Sequence, residues 1–227
     1  MISINTNNGG LFAAKAASQS QATIDSAMQR LSTGSRINNA KDDAAGQAIA
    51  TRLTAEIQGL EIASRNVADG QSLVDTAEGA LQETHTLLLR MREIGVQAAN
   101  GTLSTSDNQA LDAEFQQLVK EIDRIAQNTT WAGAALLNGD AAGAADSTAT
   151  FSFQAGVGNN SGADVFDVTV KNADSTTLDI FVANATVATD NDVNLLSQSS
   201  AGSAITAVDA AIATVSSERA NLGAVSN

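Results

Sequence analysis

The chain has 227 residues, of which 43% are hydrophobic, so it is long enough to bury a core in one or two domains. It contains no Pro, Tyr or Cys and only 3% aromatic residues, which argues against an enzyme with an aromatic-lined pocket and excludes disulfides and thiolate metal sites. The net charge of −13 repels phosphate groups and anionic lipids. Nucleic acids and membranes are therefore not expected partners.

The first fifty residues combine low charge with few apolar side chains. Residues 1–8 show no basic region followed by an apolar run, so no secretory signal peptide is expected. The larger apolar residues are scattered among Ala, Ser, Gln and Asn: Leu11, Ile24, Met28, Leu31 and Ile37. Residues 1–50 are therefore either a disordered tail or a helix that becomes ordered only when several copies pack together.

A seven-residue repeat predicts a long helix from Leu53 to Asn100. The apolar residues on this line are Leu53, Leu60, Val67, Val74, Leu81 and Leu88. A helix of this length would extend roughly 70 Å at 1.5 Å per residue, so we expect a rod. Because most residues on the adjacent heptad line are polar, the apolar stripe is narrow and suits a helical bundle better than an isolated two-stranded coil.

Two further helices are expected to pack beside the first. One runs from Thr105 to Asn128, is capped by Ser104, Thr105 or Ser106, and has apolar residues at alternating spacings of four and three. The short break at Asn100-Gly101 makes it an antiparallel neighbour of the long helix. A third apolar strip brings the C-terminal segment into the same bundle: Ile205, Val208, Ile212, Val215 and Leu222.

The composition changes near Gly139, after which Gly, Ala, Ser, Thr, Asp and Asn predominate. Three runs with period-two alternation predict hairpin strands in a surface insertion: 151–153, 165–170 and 178–182. The predicted fold is mainly α, an elongated antiparallel helical bundle or coiled-coil rod with a small insertion that contains a β-hairpin. Its predicted parts are an N-terminal segment (1–50), a helical rod domain (51–138 and 201–227) and a β-rich variable insertion (139–200).

No residue pattern predicts catalysis or a bound cofactor or metal. His85 is the single histidine, and it lies on the polar heptad line. Four aspartates of the insertion lack the spacing of a calcium loop: Asp164, Asp167, Asp190 and Asp192. Trp131 is interpreted as a core anchor that opens a Trp-Ala-Gly turn after the second helix. The chain is therefore not expected to be an enzyme.

Residues 31–50, LSTGSRINNAKDDAAGQAIA, resemble the N-terminal signature of bacterial flagellin. The resemblance continues through residues 90–102 (RMREIGVQAANGT) and 121–126 (EIDRIA), and residues 218–225 (ERANLGAV) are similar to the family's C-terminal helix. It implies a helical rod with an outer variable part, and it assigns residues 1–50 to the helical lining of a filament core. Family chains continue beyond the point that matches Val225, so the usual C-terminal core helix is expected to be absent.

The resemblance implies a structural subunit of the flagellar filament, secreted through the flagellar type III export apparatus and serving motility. The implied partners are other flagellin subunits, the export apparatus and its chaperone, and the filament cap and junction proteins. A hook–filament junction-type protein and a flagellin-derived surface adhesin remain alternatives. An enzyme housed in residues 139–200 would be a third class, but no residue pattern supports it.

The resemblance also implies an epitope for the innate-immune receptor Toll-like receptor 5. By position, the receptor-binding residues on the long helix are Arg90, Arg92, Ile94 and Gln97, and Glu114 lies on the second helix. An exposed Arg offers a planar fork to a carboxylate or carbonyl group, and an apolar neighbour adds buried area. The alternative is that these are solvated residues that serve contacts between subunits.

Overall fold

The computed structural model describes residues 7–138, 148–158, 160, 162–180 and 193–227. Within these ranges the chain forms four helices and two pairs of antiparallel strands, so the mainly α fold is confirmed. The helices are α1 (Asn8–Thr33), α2 (Ala44–Ala98), α3 (Thr105–Asn128) and α4 (Gln198–Ser226). The strands are β1 (Thr130–Trp131), β2 (Ala134–Ala135), β3 (Thr148–Gln154) and β4 (Val165–Lys171). None of the described helices is long and apolar enough to span a membrane.

The chain divides into two compact units, an N-terminal unit (residues 1–59) and a C-terminal unit (residues 60–227). In the N-terminal unit, the Asn7 side chain accepts a hydrogen bond from the backbone N–H of Gly10 and starts α1. Gly34 ends this helix in the left-handed conformation, with φ 68°. Residues 8–33 are thus helical rather than a disordered tail.

Helix α2 begins nine residues before the predicted start at Leu53. The carboxylate of Asp43 accepts a hydrogen bond from the backbone N–H of Gly46 at 2.8 Å, which caps the first turn. The apolar repeat marks a stripe of the helix and not its end, whereas the start is decided by a capping residue in front of that stripe.

The core of the C-terminal unit lies where α2, α3 and α4 pack together. Helices α2 and α4 run antiparallel, since Arg92 pairs with Asp209 while Glu78, earlier in α2, pairs with the later residue Arg219. The largest buried side chains of the three helices are Leu73, Leu81, Leu88, Met91, Ile94, Phe115, Ile122 and Leu222. The predicted return of the C-terminal segment to the bundle is confirmed.

The predicted apolar line of α2 is buried only from Val74 onward. Val74, Leu81 and Leu88 are at most 1% exposed, but the three earlier members are 42–52% exposed: Leu53, Leu60 and Val67. Periodicity shows which face of a helix is apolar, whereas burial also needs a partner that covers this face. The first half of the apolar line is therefore uncovered by the described residues.

Helix α3 has the predicted bounds because its first turn contains a complete capping box. The Ser104 hydroxyl accepts a hydrogen bond from the Asp107 N–H, and the Asp107 carboxylate accepts hydrogen bonds from the Ser104 N–H and hydroxyl. These bonds, the hydroxyl first, lower the pKa of Asp107 below its ordinary value. After α3 a two-residue turn, Ala132-Gly133, joins β1 to β2, and Trp131 packs half-buried against the core.

Strands β3 and β4 form the hairpin expected in the insertion, with Phe153 opposite Phe166 and their rings stacked at 5.3 Å. The two rings lie against Gly70 of α2, and the Asn66 side chain donates a hydrogen bond to the Gln154 carbonyl. The third predicted strand, 178–182, is wrong for its described part, because Leu178 and Asp179 lie in a turn. Phe181 and Val182 lie outside the described residues.

Three carboxylates on the helices accept hydrogen bonds from backbone amides at the end of β4 and in the described residues between β4 and α4. Glu218 of α4 accepts from Lys171 N–H at 3.0 Å, and two carboxylates of α3 do the same at 2.8 Å: Asp123 from Ser175 and Asp112 from Leu195. Each bond gives a backbone N–H group its hydrogen-bond acceptor. These bonds attach Lys171, Ser175 and Leu195 to the helices through their main chains.

Candidate functional site

The first candidate surface is a set of uncovered apolar side chains in the N-terminal unit. No residue of α1 is buried, and neither is any described residue up to Gly59. We call the large exposed members the N-terminal apolar set: Leu11, Phe12, Ile24, Met28, Leu31, Ile49, Leu53 and Ile57. Phe12 and Leu31 are 77% and 83% exposed, so nearly their whole side chains contact solvent.

Exposed apolar side chains in such numbers are unusual for a protein that works alone, and they mark interaction surfaces. Burying apolar area releases about 25 cal/mol per Å², so a second apolar helix laid on this set would be held by burial rather than by charge. The described part of α1 carries only three charged residues, Lys15, Asp25 and Arg30, which leaves little electrostatic repulsion between like copies. The N-terminal apolar set is therefore suited to helix–helix association.

The second candidate surface is a polar cluster in the C-terminal unit, where α2 meets α3. The guanidinium of Arg90 donates from Nε and Nη2 to the Glu114 carboxylate at 3.2 and 2.8 Å, and from Nη1 to Glu93 at 3.0 Å. These bonds, that to Glu114 first, raise the pKa of Arg90 above its ordinary value. All three side chains are about half exposed or more, so a protein partner can reach them.

Arg92 faces the other flank of α2. It donates to Asp209 of α4 at 2.6 Å, and its side chain is 48% exposed. Gln97 is exposed and follows Arg90 by seven residues, which places it two helical turns further along the same side. The fold therefore brings Arg90 and Glu114 together and aligns Gln97 with Arg90, whereas Arg92 belongs to a separate surface.

Ile94, which the resemblance implied as a receptor-binding residue, belongs to neither of these exposed surfaces. It is 1% exposed and lies in the core of the C-terminal unit. Leu88, Met91 and Ile94 follow one another at intervals of three along the inner face of α2, so the backbone turns Ile94 inward. The burial of Ile94 could have been predicted from the sequence, because all three residues are large and apolar.

The residues weighed for other chemistry have structural surroundings. Asp164 accepts a hydrogen bond from the Asn160 N–H, and Asp167 accepts one from the Ser152 hydroxyl across the hairpin. Asp190 and Asp192 lie outside the described residues. Among the described residues, no group of three or more His, Cys, Asp or Glu could hold a metal ion. His85 is half-buried on α2.

Comparisons with known proteins agree on one family. Residues 4–142 match the model of the bacterial flagellin N-terminal helical region. Flagellin A of Vibrio anguillarum is 47% identical over 138 residues, which are 61% of this chain and 36% of that protein. Phase 1 flagellin of Salmonella naestved is 50% identical over 137 residues, which are 60% of this chain and 27% of that protein.

A solved structure extends the agreement to the fold. The crystal structure of Bacillus cereus flagellin matches with a TM-score of 0.54 and 34% sequence identity, covering 70% of this chain and 81% of that chain. The matches to the curated relatives span about a third of the length of those proteins. Since the family model matches more than half of the chain and the fold agrees, the chain belongs to the bacterial flagellin family.

Proposed function

We propose that the chain is a structural subunit of the bacterial flagellar filament and that it assembles non-covalently with other flagellin subunits. The observation that carries this proposal is the N-terminal apolar set, which none of the described residues of its own unit buries. Each subunit would bury its set against helices of its neighbours, gaining the hydrophobic free energy that the monomer forgoes. Contacts of this heterologous kind generate an open helical filament when the rotation between subunits does not close a ring.

The same proposal places the protein outside the cell, in the flagellar filament, where it serves motility. Export through the flagellar type III apparatus, with a chaperone, follows from this assignment, as do contacts with the filament cap and the junction proteins. The flagellin family is a structural one, and we propose no catalytic step. No described feature favours the junction-type protein or the adhesin over the filament subunit.

Copolymerisation tests the proposal. Fluorescently labelled protein is mixed with monomers of a longer flagellin, such as that of Salmonella naestved, and filament growth is induced with ammonium sulfate, which strengthens apolar burial. Filaments are pelleted, and the label is measured and located by microscopy. We expect label along the whole filament; label confined to one end would indicate a junction-type protein, and unlabelled filaments would contradict the proposal.

Paired variants connect this result to the proposed surface. Phe12→Ser with Leu31→Ser removes two of the most exposed members of the N-terminal apolar set. Gln19→Ser with Gln29→Ser changes two exposed polar residues of the same helix and serves as the control. Incorporation should fall at least tenfold in the first variant and stay unchanged in the control. Equal incorporation of the two variants would show that assembly does not use this surface.

We further propose that the Arg90–Glu114 cluster, with Gln97, is an epitope for Toll-like receptor 5 and that Arg92 contributes from the α4 side. What supports this proposal is exposure combined with preorganisation. The side chain of Arg90 is 53% exposed, and Glu114 and Glu93 hold its guanidinium in one orientation, so a receptor carbonyl or carboxylate meets an ordered donor. Ile94 would act from the core, by setting the position of α2.

Binding to the receptor ectodomain, measured by surface plasmon resonance, tests the epitope. Lys lacks the planar fork, so Arg90→Lys should weaken binding about tenfold, as should Glu114→Gln. Arg124→Lys is the matched control, because Arg124 also pairs with a glutamate, Glu121, on the exposed side of α3. Equal affinities of wild-type protein, Arg90→Lys and Arg124→Lys would place the epitope elsewhere.

A further inference from the structure

A small crevice lies where the end of β4 meets α2 and α4. Its walls are largely apolar, and two buried polar side chains interrupt them, Asn172 and Glu218, which are 9% and 4% exposed. The remaining lining residues are Leu81, Lys171, Ala173, Leu178, Thr214 and Val215. The crevice belongs to neither of the surfaces described above.

The Oδ1 atom of Asn172 is buried and accepts no hydrogen bond from the described residues. One carboxylate oxygen of Glu218 accepts the Lys171 N–H at 3.0 Å, and a carboxylate can accept more than one hydrogen bond. A buried acceptor that loses water without gaining a donor is destabilising, and native proteins satisfy nearly all such atoms. Asn172 Oδ1 therefore favours an occupant of the crevice that donates a hydrogen bond, and the Glu218 carboxylate can accept a second one.

The size of the crevice fixes how large this occupant is. The space open to the centre of a water-sized molecule is about 10 Å³, which is close to the minimum that one water molecule requires. A calcium ion would need six to eight oxygen ligands, and magnesium near-ideal octahedral coordination, whereas the lining offers few oxygens. Water supplies two donors and also accepts, so it fits both the volume and the chemistry.

We propose that the crevice binds one ordered water molecule, which donates to Asn172 Oδ1 and to the Glu218 carboxylate. The water would join the residue that follows β4 to helix α4. It would thereby add a second attachment of the end of β4 to α4, beside the Lys171–Glu218 bond. A bridging water of this kind contributes nearly as much enthalpy as a direct hydrogen bond.

Nuclear magnetic resonance of the full chain tests the proposal without altering the site. Cross-relaxation between water and the backbone amides of residues 171–173 is measured in the laboratory and rotating frames. We expect cross-peaks with the sign of a water molecule that tumbles with the protein. Cross-peaks absent, or with the sign of rapidly exchanging surface water, would overturn the proposal.

Two variants separate a bound water from a nearby hydroxyl proton. Thr214 carries the one hydroxyl that lines the crevice, so Thr214→Val should keep the cross-peaks if they come from water. Asn172→Leu removes the acceptor and fills the space, so the cross-peaks at residues 171 and 173 should disappear while the circular dichroism stays that of the wild type. Asn128→Leu, at an exposed asparagine of α3, is the matched control and should keep them.

Each remaining outcome also decides the question. Loss of the cross-peaks in Thr214→Val would assign them to the hydroxyl and overturn the proposal, as would their survival in a folded Asn172→Leu. If Asn172→Leu does not fold, the wild-type and Thr214→Val spectra still decide between water and hydroxyl. None of these results depends on filament assembly, so the water site and the proposed function stand or fall separately.

Discussion

Two phenylalanines show how the two units differ. Phe115, on α3 in the C-terminal unit, is 0% exposed and lies in the core, whereas Phe12, on α1 in the N-terminal unit, is 77% exposed. Both residues are helical, so secondary structure alone does not decide burial. The C-terminal unit buries a core of apolar residues between its helices, although some large ones such as Leu60 and Val67 stay exposed, whereas no described residue of the N-terminal unit is buried. Burial therefore stabilises the C-terminal unit, whereas the exposed residues of the N-terminal unit support the association proposed above.

The largest expected effect comes from truncating these two side chains. Phe115→Ala should destabilise the protein by about 3–5 kcal/mol, since it removes a buried ring and leaves a cavity. Phe12→Ala should change the free energy of unfolding by less than about 0.5 kcal/mol, because its ring is already in water. Denaturant unfolding followed by far-ultraviolet circular dichroism, to which the helices of both units contribute, measures both changes. Similar losses in the two variants would remove the distinction between the units.

A pair of glycines tests how the hairpin packs on the C-terminal unit. Gly70→Ala would place a methyl group 3.0 Å from Cζ of Phe166 and 3.3 Å from Cγ of Phe153, which is too close for an unstrained contact. Overpacking should outweigh the higher helix propensity of alanine and destabilise by about 1–2 kcal/mol. Gly79, also on α2, has nothing within 4 Å of a Cβ, so Gly79→Ala should stabilise by about 0.5–1 kcal/mol.

The thermal denaturation midpoint should fall in Gly70→Ala and rise in Gly79→Ala. A stabilised Gly70→Ala would mean that the stacked rings do not press on the helix. An unstabilised Gly79→Ala would mean that α2 gains nothing from propensity at an open position.

The sequence predicted most reliably those helix bounds that are determined by residues close to the helix ends. The bounds of α3 follow from its capping box and its apolar spacing, and both signals lie within a few residues of the helix ends. The start of α2 was missed although Asp43 offered a cap, because the apolar repeat begins later. The prediction of a third strand was wrong for its described part. Leu178 and Ile180 are buried as the alternating pattern suggests, but Leu178 lies in a turn and Ile180 directly follows it.

Contacts between elements were harder to predict than the elements themselves. The pairing of Arg90 with Glu114 depends on how far α3 is shifted along α2, which no spacing within one helix reports. The same holds for Asp112, Asp123 and Glu218, which look like ordinary surface carboxylates in the sequence but bind backbone amides of distant segments. Only the burial of Ile94 could have been read from its helical neighbours.

A smaller effect is expected at the turn between β1 and β2. Ala132 has φ 48° and Gly133 has φ 87°, so both central residues of this two-residue turn lie in the left-handed region. The Cβ of alanine is strained there, whereas asparagine and glycine tolerate the conformation. Ala132→Asn should therefore stabilise by about 1 kcal/mol, measured by denaturant unfolding. Ala135→Asn, within β2, is the control and should not stabilise, because that position is an extended strand.

The smallest expected effect is the pH dependence of the α3 cap. The folded-state pKa of Asp107 is lowered, first by the Ser104 hydroxyl and then by its backbone N–H, so the carboxylate stabilises the folded state at neutral pH. This contribution is complete above the unfolded pKa of about 3.9 and is lost as the pH falls through the lower folded value. Asp107→Asn should thus lower the denaturation midpoint at pH 7. In strong acid the midpoints of the variant and the wild type should be equal. Asp75→Asn, in the middle of α2, controls for the loss of one negative charge. If Asp107→Asn lowers the midpoint equally at both pH values, the cap acts through its shape and not through its charge.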